Sequence, residues 1–157
     1  MGMDVHGQRP KDAPARPRRE NFSTDERFWE AVFAWDKLPG VFFRASIWSW
    51  PVVMSVVAEA NEKSHLGLDL RDWYSNDGAG LPAQDWCDAL ADAMQLVLDE
   101  IPDDGVVELQ DPRGISELGN AVLTALGSAP VTRYRVDKEF VQVFIDFLRA
   151  CGGFTID

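Results

Sequence analysis

The hydrophobic residues of the chain fall into blocks with helical spacing, separated by short β-prone runs and turn signals. The most regular block runs from Pro82 to about Ile101, where Trp86, Leu90, Ala93, Met94, Val97 and Ile101 recur at three- and four-residue intervals. That period predicts an amphipathic helix of roughly five turns. Asp85, Asp88, Asp92 and Asp99 fall on its other face, with Gln95 among them. A second block spans Lys138 to Ala150. There Phe140, Val141, Val143, Phe144, Ile145, Phe147 and Leu148 leave only a narrow polar stripe at 139, 142, 146 and 149. A helix that is apolar on most sides is expected at the centre of a domain. Asp137 stands ready to cap it, and Gly152-Gly153 ends it.

Three more helices are expected. Ser23-Thr-Asp-Glu26 reads as a capping box, with Ser23 accepting from the third helical amide. Phe28, Val32 and Trp35, with Phe33 beside them, form the apolar stripe of that helix, and Leu38-Pro39-Gly40 stops it. Pro51 suits the first turn of a helix carrying Val53, Val56, Val57 and Ala60 on one face. Its β-branched valines mean that packing, not propensity, must hold it. A further helix is expected over about 113–126, with Ile115, Leu118, Val122 and Leu126 inward and Gly127 past its end. Residues 63–81 read as a long connection. Met3–His6, Val41–Phe43 and Phe154–Ile156 are the candidates for a small sheet. Val106–Leu109 fits a brief strand or a loop, and 131–136 alternates loosely. Together these predict a mainly α (α+β) fold: a single domain of about four to five helices with a small two- or three-stranded sheet.

Residues 8–21, QRPKDAPARPRREN, contain three prolines and no large apolar residue. They predict a flexible, solvated linker between an N-terminal strand (1–7) and a single globular domain (22–157).

Composition narrows the function. At 157 residues the chain is long enough for one real core, and no apolar run reaches the roughly 18 residues of a membrane span. The first residues lack the layout of a signal peptide, and His6 stands where a myristoylation motif wants Ser or Thr. A cytoplasmic protein is expected. Cys87 and Cys151 read as buried free thiols, and two cysteines and two histidines far apart in sequence make no zinc motif. Net charge is −11, unevenly placed: residues 1–20 hold five bases and three acids, which leaves ten bases and 23 acids, net −13, for residues 21–157. Such a body repels phosphate backbones and suits a basic protein partner, or mimicry of nucleic-acid charge.

Several short motifs occur in a particular order. The chain starts Met1-Gly-Met-Asp-Val-His-Gly-Gln-Arg-Pro10. Gly40-Val-Phe-Phe-Arg44, Trp48-Ser-Trp50-Pro51 and Asn76-Asp77-Gly78-Ala-Gly80 follow, and Phe147-Leu-Arg-Ala-Cys-Gly-Gly-Phe154 closes the series. This resembles a family of small bacterial and phage proteins of uncharacterised function. The resemblance covers most of the chain except residues 11–39, which look like an insertion. The family's arginine before the proline is absent here, and a polar family position near the tryptophans is Ser46. The resemblance implies a shared fold and brings no activity with it.

Candidate chemistry can then be weighed. Gly78-Ala-Gly80-Leu-Pro-Ala83 has the letters of a dinucleotide-binding turn, G-x-G-x-x-A. The motif needs a buried parallel strand before its first glycine, and LDLRDWYSND is polar and without a run of Val or Ile. A turn opening the next helix is the expected role. An EF-hand register fails, because Trp73 and Gln84 would fall at ligand positions. An irregular metal site at Asp69, Asp72 and Asp77 stays open. His6 and His65 are the only imidazoles; a Cys87–His65 pair lacks any nucleophile-elbow motif.

The acid stripe Asp85, Asp88, Asp92 and Asp99 reads as a solvated face or as a docking surface for a basic partner. Trp48 and Trp50, two apart, share a face if the segment is extended, as core packing or as an interface anchor. The leading expectation is a non-enzymatic, acidic protein-binding module of the immunity, antitoxin or counter-defence type, without a cofactor. It would use Asp85, Asp88, Asp92, Asp99, Trp48 and Trp50 on a basic protein partner. The alternatives are a metal-dependent or hydrolytic enzyme using the 69–80 loop, and a nucleic-acid mimic.

Overall fold

The structure is a computed structural model that describes residues 2–102, 105–110 and 133–157. Its organising element is a four-stranded antiparallel sheet. Strand β1 (Gly2–Gly7) lies between β2 (Phe42–Ser46) and β6 (Phe154–Ile156), and β3 (Gly80–Leu81) pairs with the other side of β6. The three strands expected from sequence are all present, and the two-residue β3 adds a fourth. Period-two alternation separates the faces. Met3, Val5, Phe43, Ala45, Leu81, Phe154 and Ile156 are buried on one side, while Arg44 and Ser46 are exposed on the other.

Four helices are described: α1 (Asp25–Asp36), α2 (Trp50–Lys63), α3 (Gln84–Asp99) and α4 (Lys138–Leu148). Helix α3 packs against both α2 and α4. A separate antiparallel pair, β4 (Val106–Gln110) and β5 (Arg133–Asp137), lies against α2. The result is a mainly helical α+β domain. The helix expected at about 113–126 lies outside the described residues.

The core is aromatic where the helices meet the sheet. Phe144 of α4 sits 4.9 Å from Phe43 and meets Trp50 edge-on at 5.7 Å, and Trp73 meets Phe154 edge-on at 5.2 Å. Edge contacts of this kind add to the area they bury. The indole N–H of Trp50 donates to the Trp73 carbonyl at 2.8 Å, so its one polar atom is satisfied inside the core.

Helix starts follow local rules with one shift of register. Pro51 occupies the first turn of α2, as its missing N–H permits. In α1 the capping residue is Thr24, not Ser23: its hydroxyl accepts from the Arg27 amide at 3.3 Å. Asp137 holds the N-cap position of α4 without a side-chain hydrogen bond.

Residues 8–21, expected as a flexible linker, are tied to the segment that follows α4. Gln8, Arg9 and Lys11 donate their amides to the carbonyls of Gly153, Cys151 and Ala150 at 2.8, 3.1 and 2.7 Å. The strap then meets α1, where the Trp35 indole donates to the Pro14 carbonyl at 2.8 Å and Arg16 lies over the Trp35 ring. No helix among the described residues is long and apolar enough to cross a membrane.

Two glycines allow backbones to touch. A Cβ at Gly7 would lie 1.8 Å from the Gly40 carbonyl oxygen, and one at Gly80 would lie 2.0 Å from that of Phe154. A Cβ at Gly78 would meet nothing within 4 Å, so that position needs glycine only for its positive φ of 80°. Gly78→Ala is therefore expected to cost about 1 kcal/mol, and Gly80→Ala about 3 kcal/mol by overpacking against backbone that cannot retreat. Urea denaturation midpoints check this; equal losses would contradict a close-contact role for Gly80.

Candidate functional site

The acid stripe is real, and its surroundings differ from the expectation of a face turned away from the body. Helices α3 and α4 run antiparallel: Gln84 at the start of α3 donates to the Leu148 carbonyl at 2.8 Å, and Lys138 at the start of α4 donates to the Ile101 carbonyl at 2.8 Å. Gln95 and Gln142 exchange hydrogen bonds across the middle at 3.0 and 3.1 Å. The carboxylates line this seam. Gln84 donates to Asp88 at 2.7 Å, Gln95 to Asp99 at 2.9 Å, and Arg149 to Asp92 at 2.8 Å. Asp146 of α4 joins them, accepting from Gln142 at 3.0 Å. Asp85 is exposed beside them without a hydrogen-bond or ion-pair partner among the described residues.

Each glutamine thus holds a carboxylate while bridging or facing the partner helix. Sequence reading placed the four α3 acids correctly on one helix face. It missed Asp146, whose only signal was its place in the polar stripe of α4.

The two tryptophans expected to act together are separated. The chain turns at 46–49, where the Ser46 and Ser49 hydroxyls lie 2.9 Å apart and the Ser46 amide donates to Ser49 Oγ at 2.8 Å. Trp48 is 59% exposed, whereas Trp50 is 2% exposed in the core. Trp50 therefore offers no surface to a partner. The expected shared face required an extended segment, and the serine-linked turn removes it. Trp86, placed by its spacing on the apolar face of α3, is half exposed, as is Trp29 on α1.

The other candidate residues are scattered. Lys63 at the end of α2 bonds Glu100 just past α3 at 2.7 Å, so these two helices run parallel. His65 follows Lys63, while Cys87 lies near the start of α3, about 20 Å away along the helix. They form no nucleophile–base pair. Cys87 instead faces Cys151, both fully buried and free. A hydrogen bond with Cys151, together with burial, pushes the Cys87 thiol up, away from a reactive thiolate.

In the 69–80 loop, Arg71 Nε donates to both Asp69 oxygens at 2.9 and 3.1 Å, and its Nη2 bonds the same carboxylate. The oxygens a cation would need are engaged by a guanidinium. Among the described residues no three His, Cys, Asp or Glu side chains are grouped to hold a metal ion.

The Gly78–Ala83 segment contains the antiparallel strand β3, Gly80 packs on the Phe154 backbone, and what precedes Gly78 is a 3-10 turn at Arg71–Tyr74. A dinucleotide turn needs a parallel strand at that place. The sheet draws together the N-terminal strand, β2, Gly80 and Phe154. On its polar face Arg44 Nε lies 3.2 Å from Asp4 Oδ1. That buried oxygen has no hydrogen-bond donor among the described residues.

No family model matches the chain, and neither a curated protein nor a solved structure does.

The Asp69–Arg71 pair gives a local test. Hydrogen bonds from Arg71 hold the Asp69 carboxyl down to about 2 from the ordinary 3.8. A lowered folded-state pKa contributes stability above the unfolded value, lost as pH falls from about 3.8 towards 2. Both groups are exposed, so the effect on stability is small. Arg71→Gln is expected to return the carboxyl towards its ordinary value in a carbon-detected NMR titration; an unchanged midpoint would contradict the pairing.

Proposed function

We propose that the chain is a non-enzymatic protein-binding module that presents the α3–α4 seam to a basic protein. The observation that supports this reading is the restraint of exposed carboxylates: Asp88, Asp92, Asp99 and Asp146 each accept a hydrogen bond from a neighbouring glutamine or arginine. Carboxylates already held in place lose less freedom on binding, so more of their attraction appears as affinity. Their charge lies on a body of net −11, which steers a basic partner in and slows departure of the correct one. Asp85 adds an acid with unspent acceptors, and Trp48 an exposed indole nearer the start of α2. Immunity, antitoxin and counter-defence proteins combine similar size and charge, an analogy of kind and not of descent.

The test is affinity capture from the host, followed by quantitative binding to the basic protein recovered. Replacing Asp85, Asp88, Asp92 and Asp99 together with Asn keeps shape and removes charge. Binding is expected to weaken at least about tenfold, to fall further with added salt, and to leave the thermal transition cooperative. Undiminished affinity in the folded variant would overturn the reading.

A further inference from the structure

A second surface stands on α1. Helices in a domain ordinarily bury their large apolar residues, yet Trp29 and Phe33 are 52% and 60% exposed. They are one turn apart with ring centroids 6.2 Å from each other. Behind them the ridge continues: Phe28 lies 5.0 Å from Trp29, and Phe22 lies 5.9 Å from Phe28. The helix is nonetheless fixed to the body along an adjoining side, through buried Val32 and the Trp35–Pro14 hydrogen bond. Among the described residues, nothing covers this aromatic ridge on a helix that is otherwise held. A ridge of this kind marks interaction sites, where Trp supplies a large share of binding energy.

The charges beside the ridge select its occupant. On a helical projection Asp25 and Asp36 flank Trp29 and Phe33 on one side, and Glu26 and Glu30 on the other. Asp25 is paired with Arg19. Glu26 and Glu30 have no cationic partner among the described residues, and Lys37 is the one base on that flank. An anionic lipid surface or a nucleic-acid backbone would be repelled. A second copy would bring another body of net −11 against this one.

We propose that the α1 ridge docks a basic amphipathic segment of the partner protein. Apolar side chains of the segment would cover Trp29 and Phe33, Lys or Arg would meet Glu26 and Glu30, and a guanidinium over the indole would add a cation–π contact. The proposal rests on the protein-binding reading above and assigns it a second contact, one of apolar anchorage in place of charge alone.

The probe is a fluorescent synthetic Leu/Lys amphipathic helix, with a Leu/Glu counterpart, titrated into the full chain. The variants are Trp29→Ser with Phe33→Ser, and the four-Asp-to-Asn variant of α3. Both ridge residues point outward, so the double variant is expected to keep its near-ultraviolet spectrum and cooperative melting. The Leu/Lys helix is expected to bind the wild type and to lose about tenfold in affinity to the ridge variant. The α3 variant should lose less affinity than the ridge variant does, because the seam offers the short helix charge without an apolar anchor, and the Leu/Glu helix should not bind.

Equal binding to the ridge variant overturns the proposal, as does no binding to the wild type. Loss in the α3 variant alone overturns it while leaving the acidic seam intact as the partner site. Loss in the ridge variant alone leaves the seam reading to its own test. A wild-type dimer that the ridge substitutions convert to monomer would make a second copy the occupant. Flotation of the wild type with neutral phosphatidylcholine vesicles, abolished by the same substitutions, would make it a lipid surface. Either result overturns a basic segment.

Discussion

The structure depends on the antiparallel pairing of β1 with β6. These strands come from opposite ends of the described sequence, and their contact has the longest separation in the fold. Val5 and Ile156 pair at one end of it, both fully buried. The hydrogen bonds of Gln8, Arg9 and Lys11 to the 150–153 segment extend the same seam beyond the sheet. On either side of the pairing backbones approach within van der Waals contact, Gly7 against Gly40 and Gly80 against Phe154, and only glycine permits it there. Everything else is hung from it. β2 and β3 add to its two sides, α4 enters through Phe144, and the strap of residues 8–17 delivers α1 to its place.

Two surfaces of different chemistry follow from this arrangement. The α3–α4 seam is charged, with side chains fixed by glutamine bridges; the α1 ridge is aromatic, with carboxylates at its flanks. A partner that met both would gain steering and selectivity from the first and apolar anchorage from the second. Like charges crowd the seam, at some cost to the helices that carry them. Arg149 offsets part of that cost at Asp92. The thiols and the imidazole lie apart: Cys87 and Cys151 face each other in the core, and His65 is exposed at the far end of α3.

Most elements were legible in the sequence because their signals are local and long. Helix α3 carries sixteen residues of unbroken period, and Pro51 marks the start of α2. β3 was missed because two residues have no period to read; only their pairing with β6 makes them a strand. The cap of α1 moved from Ser23 to Thr24 because both offer a hydroxyl and one residue separates them. Faces were harder than elements. Phe28, Trp29, Val32, Phe33 and Trp35 cover so wide an arc that α1 alone does not reveal which half meets the body. Trp48 and Trp50 were read as one face because the Ser46–Ser49 turn between strand and helix was not anticipated. The acid stripe was found, yet its position on a helix seam depends on α4, forty residues away. Functional surfaces are properties of packed pairs, and a single helix does not disclose its neighbour.

Native-state hydrogen exchange tests the central dependence most directly. If the β1–β6 pairing holds the fold together, the amides of His6 and Thr155, which face each other across it, exchange only through global unfolding, with the same free energy and denaturant slope as the core amides of α3. Exchange of those two strands at markedly lower free energy, while α3 stays protected, would show that the helices fold without the closing pair and would contradict the account.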